Sequence, residues 1–272
     1  MRMNIFRQEL RMGRKSFVGW LIALVVLTYF FIQMYTLLAS QMEAFQKLLS
    51  NFPKEFAQAF GVELMKLGTI LGYFAFILTY ILLAASIQAL NLGITALSAE
   101  VRDKTADFLY AMPVSRQNIL AQKMLAVLVQ IVATNLVYLA CTYLILAGIN
   151  AAATPDKPLE TGTFFLLGGT MFLMQAIFAA MGLFISSFMR RIRTVLPISM
   201  GVVFFFYFLS VLNGTLKITE LGYLTPFAYY DMSKILLDGV YETRFVLLTA
   251  ALVVGFTGLA WNAYCKKDLP AI

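Results

Sequence analysis

The longest uncharged run of the chain, residues 67–99, reads LGTILGYFAFILTYILLAASIQALNLGITALSA. Its 33 residues contain no Asp, Glu, Lys or Arg, and apolar side chains cover every face of a helical projection. About 20 such residues are enough for an α-helix to cross the roughly 30 Å of hydrocarbon in a bilayer. We therefore predict a membrane-spanning helix here, whose extra length either projects beyond the membrane or is taken up by tilt.

Five further uncharged runs have the same character: 16–42, 124–155, 161–189, 194–216 and 245–265. The composition agrees, since 61% of the 272 residues are hydrophobic and only 13% are charged. A transmembrane β-barrel would instead show segments of about ten residues with alternating polarity. We predict an all-α membrane protein with one transmembrane domain, 1–272. Its six predicted spans lie at about 17–38, 68–98, 118–148, 163–189, 194–213 and 244–264.

The charged residues predict which ends of the spans face the cytoplasm. With the N-terminus inside, the cytoplasmic segments hold 14 of the 21 basic residues but only five of the 14 acidic ones. The net charge of +7 then divides into +9 inside and −2 outside, which follows the positive-inside rule. We predict a multi-pass protein of the cytoplasmic membrane with both termini in the cytoplasm. The basic pI of 9.4 therefore needs no nucleic-acid partner.

The residue types argue against an enzyme. The chain has no histidine, which removes His-ligated metal sites and His-based acid–base catalysis. The predicted spans offer no paired carboxylates and no nucleophile–base pair. Cys141 and Cys265 belong to spans at opposite sides of the membrane map, so we expect no disulfide between them. We predict no catalytic residue, no metal site and no cofactor.

Two amphipathic segments flank the first span. Residues 1–15, MRMNIFRQELRMGRK, place Ile5, Phe6 and Leu10 on one side, which predicts an interfacial helix at the inner headgroups. This helix could also contact a cytoplasmic partner. Residues 42–66 carry aromatic side chains at helical spacing and predict one or two short outer helices. These either pack on the ends of the spans or cover an exit path.

A charged segment, EVRDKTADFLYAMPVSR, joins the second and third predicted spans at residues 100–116. Helical spacing separates its acidic residues from its apolar ones: Asp103 and Asp107 on one face, and Val101, Phe108, Leu109 and Met112 on another. The predicted helix covers 103–112 because Pro113 disfavours helical geometry in the residue before it. Ser115 is placed to cap the next helix.

This charged segment has two explanations. It is either a solvated connector or a helix that docks on a partner. An ordinary connector needs only a few residues and no amphipathic helix, which favours docking. A protein partner fits better than lipid, because Asp103 and Asp107 would be repelled by anionic headgroups.

The run AEVRDKTADFLYAMPVSRQNILAQK, residues 99–123, resembles a signature of type-2 ABC exporter permeases. In that family an acidic residue, a helix, a Pro-Val/Ile-Ser-Arg turn and a lysine follow the second span. Here they are Glu100, the segment 105–112, the turn 113–116 and Lys123. The family usually has a glycine where this chain has Lys104.

A second set of motifs lies near the C-terminus. TPFAYYD (225–231), in the outer segment 214–243, is followed by ILLDG (235–239) and YCKKDL (264–269). These motifs are similar to the sodium-exporter-like branch of the same permease class.

The resemblance implies a machine of two permease copies and two separate cytoplasmic ABC ATPase subunits. The chain agrees in lacking a G-x-x-x-x-G-K phosphate loop. Segment 103–112 would be the coupling helix seated in the ATPase. The implied coupling residues are Glu100, Asp103, Lys104, Asp107, Phe108, Leu109, Met112, Pro113, Val114, Ser115 and Arg116.

The uncharged spans bear on energy source and cargo. Ion-driven transporters keep ionisable residues within their spans, so the uncharged runs favour an external energy source. Aromatic and Met-rich spans predict an amphipathic or hydrophobic cargo, such as a peptide, an antimicrobial compound or a lipid. The neutral polar residues are predicted to form interhelical hydrogen bonds: Gln88, Asn91, Gln130, Asn135 and Gln175. The alternative function is a membrane scaffold that anchors a cytoplasmic protein without transport.

Overall fold

The computed structural model describes residues 4–39, 69–102, 114–153, 159–189, 194–216 and 219–266. Within these ranges the chain forms helices and no strand, and six helices are long and apolar enough to cross a membrane. They are α1 Asn4–Ala39, α2 Ile70–Arg102, α3 Arg116–Ala153, α4 Thr161–Phe188, α5 Leu196–Leu216 and α8 Thr243–Lys266. The predicted all-α fold with six spans is confirmed. The predicted outer helices of 42–66 lie outside the described residues.

Successive spans run in opposite directions, so α1 and α3 lie parallel to each other. The Phe6 N–H donates to Gln122 Oε1 (3.1 Å) near the start of both helices. The Thr28 and Tyr138 hydroxyls, farther along, are 2.9 Å apart. We call the end of the bundle at which α1 and α3 begin the N-terminal end.

The basic segment predicted as a separate interfacial helix is continuous with the first span. Residues from Asn4 onward form one 36-residue helix that also contains the predicted span 17–38. The reason is local, because no proline separates the two parts and Gly13 and Gly19 only weaken the helix between them. The interfacial position of 1–15 stays a prediction.

Two glycines allow α2 and α4 to cross at very short range in the centre of the bundle. A Cβ atom on Gly93 would collide with the Ala179 carbonyl oxygen and would lie 3.0 Å from Gly182 Cα. A Cβ on Gly182 would lie 2.5 Å from the Leu90 carbonyl oxygen. Small residues at such crossings let helix backbones approach closely in membranes, where packing rather than hydrophobic burial drives association.

The segment between α5 and α8, which lies in the predicted outer segment 214–243, turns back into the bundle. It contains α6 Thr219–Leu224, a 3₁₀ turn at Pro226–Ala228 and α7 Met232–Asp238. Thr225 Oγ1 donates to the carbonyl oxygen of Phe206, halfway along α5, at 2.7 Å. The Phe227 ring lies 5.4 Å from that of Phe178, deep in α4.

The short helix α7 is capped at both ends. The Asp231 carboxylate accepts hydrogen bonds from the backbone N–H groups of Ser233 (2.9 Å) and Lys234 (3.3 Å). These are donors that a helix start leaves unpaired. Gly239 ends the helix at φ 65°, a left-handed conformation that glycine adopts without a steric penalty. The motifs TPFAYYD and ILLDG thus encode this turn and its caps.

Candidate functional site

The predicted coupling segment lies mostly outside the described residues, and its role stays a prediction. This concerns Asp103, Lys104, Asp107, Phe108, Leu109, Met112 and Pro113. For Glu100 the structure gives the helical backbone of α2 but not the side chain. The two helix ends that carry the segment are described, since α2 extends to Arg102 and α3 begins at Arg116. We refer to 103–113 as the α2–α3 link.

Ser115 caps α3, as its sequence position predicts. Its Oγ accepts a hydrogen bond from the Asn118 N–H at 3.4 Å, and its carbonyl oxygen accepts from Asn118 (3.0 Å) and Ile119 (3.1 Å). Val114 and Arg116, the other described members of the predicted coupling set, are half-buried beside it. The first turn of α3, which follows the link, is therefore stabilised by a helix cap.

Lys123 joins three helices at the N-terminal end of the bundle. Its side chain is buried, with 1% of the residue exposed. Its Nζ forms an ion pair with Glu9 Oε1 of α1 at 2.7 Å and donates to the Ala96 carbonyl oxygen of α2 at 2.6 Å. A buried ammonium is tolerated only where a counter-charge and acceptors replace its water. We call Glu9, Ala96 and Lys123 the Lys123 cluster.

Gln122, next to Lys123, strengthens the contact between α1 and α3. Its Oε1 accepts the Phe6 N–H, one of the backbone donors that the first turn of α1 leaves without a helical partner. Its Nε2 donates to Asn118 Oδ1 at 3.1 Å, which fixes the amide orientation. The beginning of α1 is therefore packed onto the first two turns of α3.

The opposite face of the first turns of α1 is exposed and basic. Arg7, Arg11, Arg14 and Lys15 are exposed there, while Glu9 is turned inward to Lys123. Among the described residues of this exposed face, the charged ones are all basic. Such a face favours an anionic surface, either lipid phosphates or an acidic protein.

The sequence places Glu9 and Lys123 among the predicted cytoplasmic charges but does not predict their pairing. The sequence holds one signal for it. Glu9 follows Ile5 by four residues and Phe6 by three, so helical spacing places it on the apolar side of α1. An acidic residue on an apolar helix face needs a partner when that face is packed.

A comparison with protein families identifies the class of the chain. The model described as "ABC-2 family transporter protein" matches residues 3–269. The chain belongs to this family. The predicted type-2 ABC permease is confirmed, and with it a multi-pass membrane protein that acts as a transport subunit beside a separate ATPase. A comparison with curated proteins gives no match.

Three spans of this ABC-2 permease are linked by a buried polar network at mid-height. Gln88 Nε2 of α2 donates to Thr134 Oγ1 of α3 at 3.2 Å. Gln175 of α4 donates from Nε2 to Gln88 Oε1 (3.0 Å) and accepts from Asn135 Nδ2 (2.6 Å). The predicted interhelical role of these amides is confirmed for Gln88, Asn135 and Gln175. Asn91 bonds within its own helix, accepting from Thr95 Oγ1 at 3.1 Å.

Replacing Gln175 with leucine should destabilise the permease, because its amide bonds to both α2 and α3. Interhelical hydrogen bonds in membrane proteins contribute about 0.6 kcal/mol each and at most about 1.7. We expect Gln175→Leu to lower the free energy of unfolding by about 1 to 2 kcal/mol, measured by unfolding in mixed micelles. The control is Gln117→Leu, at an exposed position of α3, which should leave stability unchanged. Equal stability of the two variants would contradict the role of the network.

A charged cluster lies at the opposite end of the permease, between α7 and α8. Lys234 Nζ contacts Glu242 Oε1 at 3.0 Å, and Arg244 Nε donates to Glu242 Oε2 at 2.7 Å. The hydrogen bond with Glu242 raises the pKa of Lys234, and the same bond lowers the pKa of Glu242. Lys234 and Arg244 are exposed and Glu242 is half-buried, so water screens these ion pairs and their effect on stability is small.

Proposed function

We propose that this ABC-2 permease is the membrane subunit of an ATP-driven exporter in the cytoplasmic membrane, with both termini in the cytoplasm. The observation that carries the proposal is the arrangement at the N-terminal end of the bundle. This end bears the capped entry of the α2–α3 link into α3, whose sequence resembles the coupling signature, and the exposed basic face of α1. Basic residues favour the cytoplasmic side.

In the proposed mechanism two permease copies work with two copies of a cytoplasmic ABC ATPase. The α2–α3 link forms the coupling helix 103–112 and binds a groove of the ATPase. ATP binding closes the ATPase dimer and displaces the link. The two permease copies then rock against each other and change the side to which the transport path opens.

The proposed cargo is amphipathic or hydrophobic: a peptide, an antimicrobial compound or a lipid-like molecule. An apolar groove of about 370 Å³ between α3, α4 and α8 supports this class. Its walls include Leu128, Ile131, Ala180 and Val253. Thr257 is the lining residue with a polar side chain. A charged cargo would find no counter-charge among these side chains.

Reconstitution tests the proposal directly. The permease is placed in proteoliposomes with its partner ABC ATPase, and ATP hydrolysis and cargo accumulation are measured over a panel of hydrophobic peptides. We expect at least one peptide to raise hydrolysis and to accumulate in inside-out vesicles only when ATP is present. Accumulation without the ATPase would refute an ATP-driven mechanism. Unchanged hydrolysis without accumulation across the panel would favour the scaffold alternative.

A further inference from the structure

The Lys123 cluster lies close to both ends of the α2–α3 link. Ala96 precedes Arg102, the last described residue of α2, by six positions. Lys123 follows Arg116, the first residue of α3, by seven positions. At a rise of 1.5 Å per residue these intervals are about 9 and about 10.5 Å. The cluster therefore connects the end of α2 to the beginning of α3, the two helix ends that flank the α2–α3 link.

The same cluster also holds the beginning of α1. Glu9 lies in the second turn of α1, and its ion pair with Lys123 is a charged contact between α1 and α3. The Phe6 N–H of α1 also donates to Gln122 of α3 nearby, at 3.1 Å. One side chain, Lys123, thus bonds to α1 and α2 while it belongs to α3.

Burial makes this connection strong. Lys123 is 1% exposed, so water cannot replace Glu9 or the Ala96 carbonyl oxygen when either is displaced. Moving α1 or α2 alone would take Glu9 or the Ala96 carbonyl oxygen away from a buried ammonium group. Moving the three helix ends together keeps both of these contacts.

We infer that Lys123 is a positioning residue that makes the beginning of α1 move together with both helix ends of the α2–α3 link. Force that reaches the link would then displace α1 and its exposed basic face as well. This inference rests on the proposed function for the source of the force. The connection itself is a property of the permease alone and can be tested without the ATPase.

The first experiment measures the connection by electron paramagnetic resonance. Spin labels are placed at Met12→Cys in α1 and Gln117→Cys in α3, both exposed positions, after Cys141 and Cys265 are replaced by alanine. We expect a narrow distance distribution that is the same in the permease alone and in the vanadate-trapped complex with the ATPase. Lys123→Met should broaden this distribution in both states, and Lys266→Met, at an exposed lysine of the same end, should not.

The second experiment tests whether Lys123 is needed for communication between the permease and the ATPase. The measurement is ATP hydrolysis by the complex. Lys123→Met should lower the stimulation of kcat by the permease about tenfold, within the usual range of coupling factors between sites. The KM for ATP and the Kd of the ATPase for the permease should stay unchanged, because no residue of the cluster belongs to the predicted docking face. A variant that merely failed to fold would instead lose binding, and size-exclusion chromatography verifies its assembly.

Two results would overturn the inference. One is a distance distribution that Lys123→Met leaves as narrow as in the native permease. The other is a native distance that changes when vanadate traps the complex, because α1 would then move independently of α3. Failure of the proposed function looks different: the native permease would not bind or stimulate the ATPase, while the label distances in the permease alone would still report the connection.

Discussion

Replacing Gly93 with alanine should destabilise the permease by about 3 kcal/mol, the upper part of the usual range for overpacked cores. The added Cβ would meet the Ala179 carbonyl oxygen and the Gly182 backbone, and neither can rotate away as a side chain can. Helices α2 and α4 would have to separate, and the polar network that includes Gln88 and Gln175 would stretch with them. Unfolding in mixed micelles measures the loss, and Gly93→Leu should leave no monodisperse protein.

Gly148 provides the matched control for Gly93. It also lies within a spanning helix, α3, but a Cβ built on it has no neighbouring atom within 4 Å. Gly148→Ala should therefore leave stability unchanged or raise it by up to about 1 kcal/mol, because alanine favours helix more than glycine does. Similar losses for the two alanine variants would show that backbone proximity at the α2–α4 crossing is not the cause.

Replacing Phe108 and Leu109 together with serine should release the ATPase from the membrane. These residues form part of the predicted apolar ridge of the α2–α3 link, and such buried anchors carry most of the energy of an interface. Each is worth about 2 kcal/mol as a hot spot, so the Kd should rise at least about a hundredfold. The measurement is binding of purified ATPase to permease in nanodiscs. Insertion should be normal because both residues lie outside the six predicted spans.

A double serine variant at the opposite end of the molecule controls for the change in hydrophobicity. Leu237, in α7, and Val240, just after it, are exposed apolar residues with 69% and 61% of their surfaces accessible. Leu237→Ser with Val240→Ser should leave ATPase binding intact. If the Phe108 and Leu109 variant binds with native affinity, the coupling assignment of 103–112 is wrong.

The spans and one helix cap could be predicted from the sequence because their causes are local. A charged residue is costly at membrane depth wherever the rest of the chain lies, so uncharged runs mark the helices. The predicted span 163–189 and the observed helix Thr161–Phe188 differ by two residues or fewer at each end. The cap at Ser115 depends only on the next few residues.

The contacts of the candidate site could not be predicted in the same way. Glu9 and Lys123 are 114 positions apart, and their pairing depends on how α1 and α3 are rotated and aligned in depth. The spanning helices are apolar on all sides, so hydrophobic patterning does not indicate which faces meet. Residues 225–231 belong to the predicted outer segment 214–243, yet Thr225 and Tyr230 form hydrogen bonds with residues of α5 and α8.

The amino-acid sequence by itself determined the family, through its motifs. It also determined the helical class and the six apolar segments, because each charged residue is costly in lipid wherever the rest of the chain lies. Only the tertiary structure decided that Gly93 meets Gly182, that Gln175 connects three helices, and that Lys123 is buried against Glu9. These are pairwise contacts between distant segments. Their free energy depends on shape and hydrogen bonding at one relative position of the helices, which the bilayer alone does not specify.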